Sequence, residues 1–152
     1  MQTGLVVVEP LDSNRELVRE AGEFAKGSGA KLVLLSILPE EEYDERHEAR
    51  RQGSSGETTY TLEEAEDEAL RLATKLGLEE LKDLGVEYET VSVVGQLTKR
   101  ILAAAEDFEA DHIFLIGTRR SPSGKALFGD VAQSVLLNFD NGPVTVMMQD
   151  RD

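Results

Sequence analysis

The chain has 152 residues, enough for one ordinary domain with its own core, and 40% of them are hydrophobic. It carries 30 Asp and Glu against 16 Lys and Arg, a formal net charge of −14; such a surface repels phosphate backbones and anionic lipids, which argues against nucleic acid and membranes as partners. Cysteine is absent, which removes disulfides, thiolate catalysis and zinc sites built on cysteine.

No apolar run reaches the length a membrane span needs. Residues Met1–Pro10 lack a basic flank ahead of an apolar stretch, so no signal peptide is expected and the expected compartment is the cytoplasm. The lysines are Lys26, Lys31, Lys75, Lys82, Lys99 and Lys125, so arginine leads among the bases. Abundant acid with scarce lysine resembles proteins of a salt-rich cytoplasm, where screening removes the cost of self-repulsion. An acidic solvated surface on an ordinary protein is the other reading.

Leu5–Val8 is a short, continuous apolar run rich in β-branched residues and reads as a strand buried on both faces. Ser13 with Glu16 fits a capping box, and Leu17, Val18, Ala21, Phe24 and Ala25 recur at helical spacing until Gly27–Ser28–Gly29 stops them. Lys31–Leu38 is a second buried strand, closed by Pro39. The stretch from Glu40 to Thr59, within an acidic segment of about 40–60, has little periodicity and reads as a mobile surface loop. Thr61 and Glu64 form another capping box. It opens a long amphipathic helix carrying Leu62, Ala65, Ala69, Leu72, Ala73 and Leu76, in which Gly77 is expected to interrupt or bend the chain.

Gly85 turns the chain into a third strand, Tyr88–Val94. A third helix follows Gly95, with Leu97, Ile101, Leu102 and Ala105 on one side. His112–Ile116 is a fourth strand, followed by a Gly/Ser/Pro/Arg segment, Gly117–Gly124. A fourth helix runs from about Gly129 through Leu137 with Val131, Val135 and Leu136 inward, and Val144–Met148 is the last strand. Strands alternating with helices make parallel βαβ units with right-handed crossovers, so the fold class is α/β: one domain, an open parallel sheet with helices on both faces. Ligands of such sheets bind at the carboxyl ends of the strands, where the winding reverses.

The run Ile116–Gly117–Thr118–Arg119–Arg120–Ser121–Pro122–Ser123–Gly124–Lys125–Ala126–Leu127–Phe128–Gly129–Asp130–Val131–Ala132 resembles the signature of the universal stress protein family. So do Val135–Leu136 and Pro143–Val144. The first strand's end, Pro10–Leu11–Asp12–Ser13, is similar to the family's Pro-Val-Asp-Gly-Ser. The resemblance covers nearly the whole chain and implies a five-stranded sheet of order 3-2-1-4-5, Rossmann-like, of the adenine nucleotide alpha hydrolase type. It also implies an adenine nucleotide, ATP or AMP, with magnesium if ATP is the ligand. The adenosine side would be Pro10, Leu11, Asp12 and Ile37. The phosphate side would be Gly117, Arg119, Gly129, Asp130 and Val131, with Arg120 as a further donor to phosphate. A stress-response or signalling role without catalysis follows from the same resemblance.

The chain departs from the family's Gly-two-residues-Gly-nine-residues-Gly-Ser/Thr pattern at Arg120, at Asp130 and in a loop one residue short. A carboxylate at position 130 repels phosphate and is expected to cap the helix itself. The alternative function is therefore a nucleotide-independent, dimeric interaction protein with a degenerate phosphate loop. Gly124–Lys125 is not a P-loop, since Ala126 follows and Arg119 holds the earlier glycine position. His47 is expected to be solvated and His112 structural, and neither belongs to a metal or general-base cluster. The last strand is apolar at a sheet edge and needs covering, and in the family it pairs with its own copy. A homodimer through Pro143, Val144, Thr145, Val146, Met147 and Met148 is expected, with other protein partners unspecified.

Overall fold

The computed structural model describes residues 1–9, 13–53, 61–118 and 129–149, with the backbone alone for residues 13 and 50–53. The elements in order are β1 (Thr3–Val8), α1 (Ser13–Ser28), β2 (Lys31–Pro39), α2 (Glu40–Gly53), α3 (Leu62–Glu80), a one-turn 3-10 helix (Lys82–Leu84), β3 (Tyr88–Gly95), α4 (Leu97–Asp107), β4 (His112–Thr118), α5 (Asp130–Asn138) and β5 (Val144–Gln149). The five strands form one sheet in the order β3-β2-β1-β4-β5, parallel at every pairing, as the sequence predicts.

The continuous apolar runs become strands because the sheet is covered on both faces. On one face Val6 and Val8, Leu32 and Leu34, and Phe114 and Ile116 pack against Leu17, Val18, Ala21 and Ala25 of α1 and Ala73 and Leu76 of α3. On the other, Leu5 and Val7, Val33, Leu35 and Ile37, and Ile113 and Leu115 pack against Ile101, Ala104 and Ala105 of α4 and Ala132 and Val135 of α5. Among the described residues no helix is long and apolar enough to cross a membrane.

Three expectations need correction. Residues 40–53 form a helix, not a loop. Glu40, Glu41 and Glu42 sit in the first turn of α2, where acid favours the helix dipole. Arg46 bonds Glu42 one turn back at 2.5 Å and Glu68 of α3 at 2.7 Å, and Tyr43 packs on Leu38, Ala65 and Val94. These are anchors without an apolar stripe, so periodicity does not reveal them. Residues 54–60 of the same acidic segment lie outside the described residues. Phe24, Leu62 and Leu136 are not core: they are 51%, 50% and 39% exposed. Phe24 instead lays its ring edge-on against His112 and Phe114. The capping hydroxyl of Thr61 does accept the Glu64 N–H, at 3.1 Å.

Gly77 neither ends nor interrupts α3; it lies inside the helix and is buried. A Cβ there would stand 2.8 Å from Tyr88 Cζ and 2.9 Å from its hydroxyl oxygen. The absence of a side chain lets β3 approach the helix. Helix propensity alone would make Gly77→Ala stabilising by about 1 kcal/mol. The clash reverses the sign, and a loss of about 1–3 kcal/mol is expected in denaturant unfolding. Adding Tyr88→Ala to Gly77→Ala should remove most of the loss specific to the clash, measured as a double-mutant cycle.

Candidate functional site

The chain winds from β1 outward through β2 to β3, then returns to β4 and β5 on the other side of β1. The winding reverses between β1 and β4. Along β2, β1 is paired over its whole length, Thr3–Val8 against Lys31–Ser36. Against β4 its register covers only Gly4–Val6 with His112–Phe114. Beyond Val6 the two strands continue separately: β1 keeps to β2, while Leu115–Thr118 pair with Val146–Gln149 of β5. The β1–β4 ladder therefore stops short of the carboxyl ends of both strands, at the switch point, the place where open α/β sheets bind ligands.

Two helix heads lie at this end of the sheet. α1 packs on both β1 and β4 and runs back from the carboxyl edge, so its first turn lies over the strand ends. α5 starts at Gly129, its N-cap, with φ 84° and ψ 159° and no side-chain cap bond. A Cβ on Gly129 would lie 3.1 Å from Thr118 Oγ1, so the glycine both supplies the left-handed conformation and seats the helix against the end of β4. The cap position belongs to Gly129, not to Asp130 as the sequence suggests. Asp130 is the first helical residue, exposed, in the turn where its charge favours the helix dipole.

Gly117 is buried at the end of β4, opposite Met148. Ile37 and Val131 belong to the same apolar cluster beneath the sheet. Ile37 also borders a cavity of about 240 Å³ with Leu38, Pro39, Arg46, Ala69 and Leu72, where α2 and α3 cover the end of β2. Pro10, Leu11, Asp12, Arg119 and Arg120 lie outside the described residues. Pro143 is exposed, and its carbonyl accepts the Ile113 N–H at 3.1 Å. Val144, Thr145, Val146, Met147 and Met148 lie on β5, which pairs with β4 on one side and forms the sheet edge on the other.

Three residues at this end of the sheet escape sequence reasoning. Thr118 meets Gly129. Glu9, one residue past β1, is largely buried, and that burial pushes its carboxyl above the usual range. Asn14, on the first turn of α1, is 1% exposed, and neither Oδ1 nor Nδ2 has a hydrogen-bond partner. At the opposite end, His112 is buried, stacked on Phe114 at 4.1 Å and joined through Nε2 to Thr145 Oγ1 at 2.8 Å. Burial lowers its pKa. It lies at the amino end of β4, away from the carboxyl ends of the strands. His47 lies on α2 with its ring tilted against Tyr43. Among the described residues no three His, Cys, Asp or Glu side chains gather closely enough to hold a metal.

The strand order and the helices on both faces define a doubly wound α/β protein. The model of the universal stress protein family matches residues 1–147, and the chain belongs to that family. A comparison with curated proteins gives no match. Among solved structures it is similar to a universal stress protein from Archaeoglobus fulgidus, at 24% identity and a TM-score of 0.65 over 96% of this chain and 98% of the other. A second similar structure is the universal stress protein from Archaeoglobus fulgidus in complex with dAMP, at 21% identity and a TM-score of 0.62, covering 96% and 97% of the two chains. A third is a universal stress protein in complex with cAMP, at 21% identity and a TM-score of 0.61, covering 97% and 96%. At these identities the structural likeness is one of fold.

The Glu9 carboxyl gives a pH test. Its folded pKa stands above the ordinary 4.5. Below that value the carboxyl is protonated in both states and costs nothing; as pH rises past it, the unfolded chain ionises first and stability is lost. Glu9→Gln should therefore raise the unfolding midpoint at pH ~7 and leave it unchanged at pH ~4, in thermal melts at both pH values.

Proposed function

We propose that this chain is a binding module for an adenine nucleotide, ATP or AMP, which binds at the carboxyl ends of β1 and β4 and whose occupancy is passed on through a homodimer in a stress response. The observation that carries this is the early end of the β1–β4 ladder beneath the heads of α1 and α5. α5 begins at a glycine N-cap with no side-chain cap bond, and the amides of a helix N-terminus suit a phosphate. Family membership and the dAMP- and cAMP-bound relatives support the same ligand class. Pro10, Leu11, Asp12 and Ile37 would hold the adenosine side. Gly117, Arg119, Arg120, Gly129, Asp130 and Val131 would border the phosphates. Magnesium, with ATP, would travel on the phosphate oxygens. The reading is of a cytoplasmic binder rather than an enzyme, and the acidic, lysine-poor surface suits a salt-rich interior.

A second reading rests on one position. Asp130 places a carboxylate at the first helical residue of α5, where an incoming phosphate would meet it. Together with Arg120 and the short loop, this favours a nucleotide-independent dimer that works through protein contacts. Calorimetric titration of nucleotide-stripped protein with ATP and AMP, with magnesium and at low and high salt, separates the two. Saturable binding in the micromolar range is expected, and Asp130→Ser should tighten it roughly 3- to 10-fold by removing like-charge repulsion. No heat at millimolar nucleotide would leave the second reading.

The dimer is proposed through β5, whose backbone edge on the far side from β4 is open to pairing with a second copy, and whose Val144 and Val146 sit half-buried beside Pro143. Sedimentation should give a dimer at micromolar concentration. Val146→Lys should shift the population to monomer without unfolding it, as a desolvated charge is costly at the centre of such an interface.

A further inference from the structure

We propose that Asn14 is the residue that reads the base: its side-chain amide pairs with an edge of adenine, where the N6 amino group stands beside a ring nitrogen. This rests on the nucleotide reading above and goes beyond it, since it gives a buried residue of the first helical turn a recognition role.

The placement comes from helix geometry. Asn14, Leu17, Val18, Ala21 and Ala25 fall at helical spacing on one face of α1, and all are buried. That face lies on Val6 and Val8 of β1 and Phe114 and Ile116 of β4. Because α1 runs back from the carboxyl edge of the sheet, the first member of the stripe lies furthest toward that edge. There the β1–β4 ladder has already ended, at Val6 and Phe114. The one polar member of the stripe is thus the one nearest the unpaired carboxyl ends of β1 and β4.

The chemistry follows from what Asn14 lacks. Its donor and its acceptor are both buried and both unpaired, the only such side-chain atoms among the described residues. Each has given up water and gained nothing, a state that native structures rarely leave unexplained. An apolar side chain there would continue the stripe at lower cost. An amide holds its donor and acceptor in one plane and matches a partner with an acceptor next to a donor. Adenine offers that pair, and the bidentate match of asparagine to adenine is a general one. The pairing would satisfy both orphaned atoms at once. Since Asn14 is 1% exposed in the free chain, binding includes a local opening that admits the base.

The test uses the full chain, two ligands and two variants. Wild-type protein, Asn14→Leu and Asn14→Ala are titrated with ATP and with purine riboside triphosphate, which lacks only the N6 amino group. Wild-type protein should bind ATP about 10-fold or more tighter than the analogue. Asn14→Leu should bind both equally, at the weaker level. Without nucleotide, Asn14→Leu should melt a few degrees higher than wild type. ATP bound as tightly by Asn14→Leu as by wild type would overturn the assignment and leave the nucleotide reading standing. A lower nucleotide-free midpoint for both variants would make the amide structural and overturn it as well. Failure of the wild type to bind any nucleotide would remove the reading itself, and this inference with it.

Discussion

The pairing of β1 with β4 governs the rest of this molecule, because it stops early. β1 is the central strand, and apolar side chains cover it on both faces and join it to β2 along its full length. Against β4 it holds only Gly4–Val6 to His112–Phe114. Had the ladder continued to Val8, the carboxyl edge would be a closed row of backbone bonds. Ending it at Val6 leaves β1 committed to one half of the sheet and the end of β4 committed to β5. Both helix heads then lie over strand ends that are not bonded to each other. The anchoring ends of the same strands are well fastened: Asp111 accepts the backbone N–H groups of Gln2 and Thr3 at 3.0–3.2 Å, and His112 ties β4 to β5 through Thr145. The sheet is therefore well fastened at its amino edge, while the β1–β4 ladder stops short of its carboxyl edge.

The charge distribution has to be read against this frame of strands. Acid outnumbers base, 30 to 16, so many carboxylates have no cation to pair with. Among the described residues several ion pairs join elements: Arg15 reaches Glu79, Arg19 reaches Asp83, and Arg46 joins α2 to α3. Their side chains are about two-fifths or more exposed, so each adds little at ordinary ionic strength and less in salt. Stability comes from the two apolar layers. That leaves the surface free to be strongly acidic without endangering the fold.

What the sequence showed and what it hid follows from this division. Leu5–Val8, Lys31–Leu38 and His112–Ile116 were legible as strands because burial on both faces writes itself as an unbroken apolar run. α1, α3 and α4 were legible because each buries one stripe. α2 was not, because its contacts are Tyr43 in a small cluster and Arg46 between two glutamates; charged anchors have no period. Phe24 and Leu62 obeyed the helical spacing yet lie at the rim, where a stripe is wider than the core beneath it. At the site, Gly117 and Gly129 announced themselves as glycines in a loop-to-helix pattern. Glu9 gave no signal, since its burial comes from tertiary packing at the end of β1. Asn14 left a faint one: a polar residue on the apolar stripe of Leu17, Val18 and Ala21.

Glu9 and Asn14 also share a meaning. Burial holds the carboxyl of one toward its neutral form and leaves the amide of the other without partners. Both are unfavourable in the free chain, and both lie at the carboxyl edge where β1 and β4 separate. Unfavourable polar burial scattered over a core would signal a poorly specified fold. Here the apolar layers beneath are continuous, and the strain gathers at the single place where the topology opens. A folded protein tolerates such groups where something else completes them, and local rules break at functional sites sooner than elsewhere. The same physics explains why the site need not stand wide open in the free chain. A partly closed edge lowers the exposure of apolar strand ends, and a ligand that pairs the waiting amide gains what the free protein forgoes. Under the proposed function, occupancy and local stability would be coupled through one equilibrium, without a second domain to move.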